Sequence, residues 1–149
     1  MPPRTPSPDQ ALLLDNQLCF ALYSASLAMT KLYKPLLEEL GLTYPLYLVM
    51  LVLWEGDGLM VSELGQRLSL DSGTLTPLLK RLETAGLVSR MRDVDDERRV
   101  HIHLTAAGRK LKTRAAQVPG CVLAASQCSI PELMQLTDRL RTLRDRLAA

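Results

Sequence analysis

Aromatic residues are scarce in this 149-residue chain: one Trp, four Tyr and one Phe make up 4% of it. Leucine supplies the apolar bulk instead, a balance that favours helices over a β-sandwich. Cysteine is sparse too. Three thiols at positions 19, 121 and 128 do not make a disulfide framework, and their spacing fits no usual zinc pattern. The two histidines, His101 and His103, share one side of an alternating run without a third ligand nearby. No metal or other cofactor is therefore expected. Long hydrophobic runs are missing: the richest, YPLYLVMLVLW over 44–54, has 11 residues, where a membrane span needs roughly 18. It reads as a buried core helix. Nor does one sign of charge dominate. With 18 Lys+Arg against 16 Asp+Glu the net charge is +2, so a nucleic-acid partner would have to meet basic residues grouped locally.

What remains is a globular composition, 47% hydrophobic and 23% charged, of one domain's length. The opening MPPRTPSPDQ carries four prolines and no apolar core of a signal peptide. Residues 1–12 are expected to form a disordered arm, and the protein to be cytoplasmic. Asp15 or Asn16 can cap a first helix through CFALYSASLAMTKLYKPLLEEL, with a break near Tyr33 and Lys34 ahead of Pro35. Thr43 caps a second helix, with Pro45 in its first turn, running to Glu55.

The stretch after Gly58 is the most informative. Ser62 opens a short helix, Ser69 to Ser72 make a tight turn, and GTLTPLLKRLETA forms a second helix with Leu75, Leu78, Leu79 and Leu82 at helical spacing. Gly86 closes it. Two alternating runs, LVSRM and VHIHL, then flank the charged segment Arg90 to Arg99, which predicts a β-hairpin. Helix, short turn, helix and hairpin in this order describe a winged helix-turn-helix. The fold class is mainly α with a small β-hairpin wing. Thr105 caps a further helix, broken at Val118-Pro119-Gly120, and leucines at 133, 136, 140, 143 and 147 mark the last one.

A recognition helix needs short polar side chains at its exposed N-terminal end to enter the major groove. Ser72, Thr74 and Thr76 supply them, Pro77 lies in the first turns, and Lys80 and Arg81 stand one turn on, in reach of phosphates. The wing carries Arg90, Arg92, Arg98 and Arg99, suited to a narrow minor groove, and Asp96 is placed to orient Arg98. Standing alone, these arginines balance Asp93, Asp95, Asp96 and Glu97 as an ordinary solvated hairpin. Following a helix-turn-helix, they read as a DNA wing.

LDNQLCFALY (14–23), LTYPLYLVMLVLWE (42–55), LDSGTLTPLLKRLETAGLV (70–88), DDERRV (95–100) and LTAAGR (104–109) together resemble the MarR family of winged-helix repressors, and within it the organic hydroperoxide resistance regulators. Asp95 stands where that pattern often has arginine. The resemblance implies a homodimer on a pseudo-palindromic operator, with one domain over 13–149. Its segments 13–42 and 105–149 would be dimerisation helices, and 43–104 the winged helix-turn-helix.

Cys19 sits early in the first helix beside Leu18, Phe20 and Leu22. From these residues alone, packing and reactivity both stay open, since helix N-termini favour thiolates while apolar neighbours bury them. The resemblance implies a sensor: the matching cysteine is hydrogen-bonded by tyrosines aligned with Tyr33 and Tyr44, with Tyr23 beside it. An organic hydroperoxide would oxidise Cys19 to a sulfenic acid, which a thiol of the partner subunit resolves as a disulfide. The subfamily's resolving position aligns near Ala124, between Cys121 and Cys128; Cys121 is favoured because the Pro119-Gly120 break should make it mobile. Two other readings remain. A small aromatic ligand would replace peroxide as the trigger, or Cys19 would serve a thiol peroxidase, for which the first helix has no arginine or histidine. A non-enzymatic role is expected.

Overall fold

The computed structural model describes residues 5–149. Residues 1–4 of the expected arm lie outside the described residues. Over the rest of it the chain is helical in part: Ser7 accepts from the Gln10 N–H and Gln10 answers to the Ser7 N–H, closing one turn, α1 (Pro8–Ala11). The disorder expected for this stretch overlooked that capping pair.

Helix α2 (Leu18–Glu38) follows a 3-10 turn over Leu14–Asn16. Asp15 and Asn16 fall inside that turn, so neither caps α2. Gln17 occupies the cap position, with its amide turned back to the Ala11 and Leu13 carbonyls at 2.6 and 2.9 Å. Nor does Pro35 break α2, which runs on to Glu38. The last turn is anchored past the proline by Leu37, which is buried against α3 (Tyr44–Glu55). Tertiary packing here outweighs the local cost of the missing N–H.

Strand β1 (Leu59–Met60), which sequence reasoning missed, leads into α4 (Val61–Leu68) and α5 (Ser72–Thr84). Glu63 Oε1 accepts the Met60 N–H at 3.0 Å and fixes the start of α4 one residue before Ser62. Gly86, at φ 76°, takes the left-handed conformation that lets Leu87 donate back to the Leu82 carbonyl at 3.0 Å. Strands β2 (Val88–Arg92) and β3 (Val100–Leu104) form the hairpin, and β1 adds to its far side in the antiparallel order β1-β3-β2. The register pairs Val88 with Leu104, Arg90 with Ile102 and Leu59 with Ile102. A two-residue strand behind Gly58 gives too little alternation to find in sequence.

Thr105 caps α6 (Ala106–Ala115), accepting from the Gly108 N–H at 3.1 Å. A Cβ on Gly108 would overlap the Leu87 carbonyl oxygen, so only glycine lets α6 approach the start of the wing this closely. Helix α7 (Val118–Ser126) packs on α2, and α8 (Ile130–Ala148) closes the chain behind a Ser129–Glu132 capping box. The core joins α3, α4, α5 and the sheet: Val49, Met50, Leu64, Leu75, Leu79, Leu82 and Ile102 have no exposed surface.

Candidate nucleic-acid interface and thiol centre

Leu75, Leu79 and Leu82 pin one face of α5 to the core, which turns the other outward. Ser72, Thr74, Pro77, Lys80 and Arg81 all lie on that exposed side. Thr76 is half-buried, and its hydroxyl donates to the Ser72 carbonyl at 2.7 Å, so it reaches outward less than its neighbours. Pro77 lies in the helix interior and not in the first turn, leaving the Gly73 carbonyl without its helical donor. The cap is Asp71, whose Oδ1 accepts the Thr74 N–H at 2.7 Å. Hydrogen bonds from that N–H, then from the Thr74 hydroxyl, hold the Asp71 carboxyl below its ordinary range. Sequence reasoning had started this helix at Gly73 and left Asp71 in the turn.

The wing arginines divide into two kinds. Arg92, Arg98 and Arg99 are exposed around the loop between β2 and β3. Asp96 organises that loop: Oδ1 accepts the Arg98 N–H at 3.0 Å and lies 3.5 Å from Arg98 Nε, while Oδ2 lies 3.8 Å from Arg99 Nε. With the Arg98 side chain 95% exposed, this contact orients more than it stabilises. Arg90 is different. It shares the core-facing side of the sheet with Val88 and Ile102, is half-buried, and its Nε is enclosed without a hydrogen-bond partner.

Cys19 is the second residue of α2 and is exposed. No side chain caps this helix, so its first-turn amides are not neutralised by a carboxylate. Tyr23 stands one turn on and is 63% exposed. Tyr33 and Tyr44 form a cluster elsewhere: their ring centroids are 5.0 Å apart, and Tyr47 lies 5.9 Å from Tyr33 and 6.4 Å from Tyr44. Burial first, then the neighbouring phenols, pushes Tyr33 above its usual range, and Tyr47 is raised likewise. Both therefore keep their O–H protons near neutral pH. Tyr47 was not among the expected site residues; its spacing of three from Tyr44 was the signal available. Because α2 is continuous, the fourteen residues from Cys19 to Tyr33 span about 21 Å. Cys19 does not meet Tyr33 within one chain.

Cys121 is exposed in the first turn of α7, its N–H bonded to the Gln117 carbonyl at 3.3 Å. Pro119 and Gly120 belong to that helix, and the break lies at Ala116–Gln117. The mobility expected at Cys121 thus has no support in the backbone. Cys128 follows the end of α7, half-buried, with Sγ 3.5 Å from the Ser126 carbonyl oxygen.

The family model described as transcriptional regulator SarA/Rot matches residues 31–115. The organic hydroperoxide resistance transcriptional regulator of Bacillus subtilis is 52% identical over 134 residues, 90% of this chain and 91% of that protein. The chain belongs to the organic hydroperoxide resistance transcriptional regulators. Among solved structures, it is similar to AbfR of Staphylococcus epidermidis. Reduced AbfR bound to DNA shares 37% identity, with TM-score 0.70 over 91% of this chain and 95% of that one. Disulfide-formed AbfR shares 38% with TM-score 0.61, over 87% and 91%.

The terminal helices carry bare apolar surface. Only Leu37 of α2 is buried, and no residue of α8 is. Leu22, Leu140, Leu143 and Leu147 line a groove of about 700 Å³ between these helices. None of the helices among the described residues is long and apolar enough to cross a membrane, so this surface does not mark a membrane span.

Proposed function

We propose that this chain is a homodimeric, redox-sensing repressor that holds a pseudo-palindromic operator while Cys19 is reduced and releases it on oxidation. α5 enters the major groove with Ser72, Thr74, Thr76 and Pro77 leading and Lys80 and Arg81 on phosphates. Arg92, Arg98 and Arg99, steadied by Asp96, reach the minor groove, and Arg90 braces the wing from behind. The apolar faces of α2 and α8 supply the two-fold interface.

One observation carries the sensor reading: Cys19 is exposed at an uncapped helix start, and its own chain's tyrosine cluster is about 21 Å away. A second copy brings Tyr33 and Tyr44 to the thiol as O–H donors, with Tyr23 from the same helix alongside. The Cys19 thiolate attacks the hydroperoxide oxygen. The O–O bond breaks, the alkoxide leaves as alcohol after protonation, and Cys19 becomes a sulfenic acid. A partner thiol then displaces water to give a disulfide. Cys121 is the better resolving candidate because it is exposed, whereas Cys128 is half-buried with its thiol held by the Ser126 carbonyl. Disulfide-formed AbfR supports the disulfide step. The relatives are transcriptional regulators, and Cys19 is read as reacting once per event, without turnover.

A cavity of about 260 Å³ beside Tyr33 and Tyr44, lined also by Thr30, Leu37, Leu42 and Pro45, supports a second reading in which a small aromatic ligand is the trigger. Cumene hydroperoxide, a non-reducing gel and operator binding of the same samples decide between them. Cys19→Ser should keep DNA binding and lose the peroxide response; a retained response sinks the sensor. A covalent dimer that persists in Cys121→Ser and disappears in Cys128→Ser moves the resolving role to Cys128.

A further inference from the structure

Three segments meet at His101 on β3. Its Nδ1 lies 3.2 Å from the Gly58 carbonyl oxygen, in the turn before β1, and its Nε2 lies 3.3 Å from Asp93 Oδ2, at the start of the wing loop. Both partners only accept hydrogen bonds. A neutral imidazole has one N–H and satisfies one of them; the imidazolium satisfies both. Asp93 is itself fixed, with Oδ1 accepting the Asp95 N–H at 2.9 Å and its own N–H donating to the Arg99 carbonyl at 2.8 Å.

The groups around this ring favour its charge. Glu63 of α4 adds a negative potential, and Asp93 faces it directly. Arg99 acts through Asp93, the His103 ring lies 6.5 Å away, and Asp57 is turned towards the Leu104 N–H and Arg109. The Gly58 carbonyl first, then Asp93, raises His101 above its ordinary value, while the Asp95 N–H and His101 hold Asp93 below its own.

We propose that His101 is a positioning residue for DNA binding: as the imidazolium it clamps the wing loop to the turn before β1 and so sets Arg92, Arg98 and Arg99 for the groove. This rests on the DNA-binding reading above. The clamp is fully present below the unfolded value of about 6.5 and is lost as pH rises through the raised folded value. Asp93 stays ionised throughout that window, so the change belongs to His101.

Two measurements test it. Proton–nitrogen NMR of the His101 imidazole should give a midpoint above about 6.5, and one at or below it overturns the clamp. A duplex selected by the reduced protein from a random-sequence library at about pH 6 then serves as probe. Its affinity should fall roughly fivefold by about pH 8.5, the scale of one net hydrogen bond. His101→Gln should bind at the weaker level throughout with a flattened profile, and His103→Gln should keep the wild-type profile. Parallel profiles for wild type and His101→Gln overturn the proposal. A wild type that selects no duplex at any pH overturns the repressor reading itself, whereas one that binds well without pH dependence overturns only the clamp.

Discussion

Leu64, Leu75, Leu79 and Leu82 have no exposed surface, whereas Leu27, Leu136, Leu140 and Leu147 are 40–74% exposed. The residue type is the same; the difference is which surface completes it. The winged-helix segment closes its core from α3, α4, α5 and the sheet, with Leu37 of α2 and Leu111 and Ala115 of α6 packed into it. The outer faces of the terminal helices stay bare, and contiguous apolar surface on a folded chain marks a site for association. The groups proposed to read DNA stand on the closed region and Cys19 on the bare one. Any signal between them must cross the joints. Trp54 Nε1 donates to the Gly108 carbonyl at 3.0 Å, and the Thr105 hydroxyl to the Gly86 carbonyl at 2.6 Å.

Leu79→Ala should show the largest effect, losing about 2–5 kcal/mol in urea unfolding because the cavity sits in a closed core. A loss no greater than that of an exposed leucine would erase the distinction between the two regions. Gly108→Ala strikes the joint, and displacing α6 from the Leu87 carbonyl should cost about 1–3 kcal/mol. Its thermal transition should fall without any change in oligomeric state. Leu140→Glu sharpens the comparison from the other side. It should weaken dimerisation at least about tenfold in sedimentation, the scale of one buried leucine replaced by a charge, and leave the near-UV signal of the winged helix in place. An unaltered dimer would show that α8 pairs through another face.

Much of this organisation was legible in the sequence, because periodicity reports which face a helix buries. Leu75, Leu79 and Leu82 announced the inner face of α5, and Val100, Ile102 and Leu104 that of β3. Local rules failed where distant contacts decide. Pro35 suggested a break that Leu37 packing overrides, and Pro119-Gly120 suggested a hinge where a helix begins. Arg90 looked like its neighbours because a two-residue alternation does not say which face of a hairpin meets the core. Cys19 and the tyrosines were recognisable as types, but their separation follows only from the unbroken length of α2.

The smallest expected effects test the division among the wing arginines. Arg99 is exposed at the wing loop, so Arg99→Met should leave stability unchanged and lower the salt dependence of DNA binding by about one unit of slope, as for one lost phosphate or groove contact. Arg90→Met keeps the length that packs beside Val88 and Ile102 and removes an enclosed Nε with no acceptor. It should leave the salt slope as it was and be neutral or stabilising by up to about 1 kcal/mol, since an unsatisfied buried donor is lost. Melting curves and affinities at several salt concentrations separate the two variants. If Arg90→Met reduces the slope as Arg99→Met does, its guanidinium reaches DNA despite the enclosed Nε, and the wing uses both faces of its hairpin.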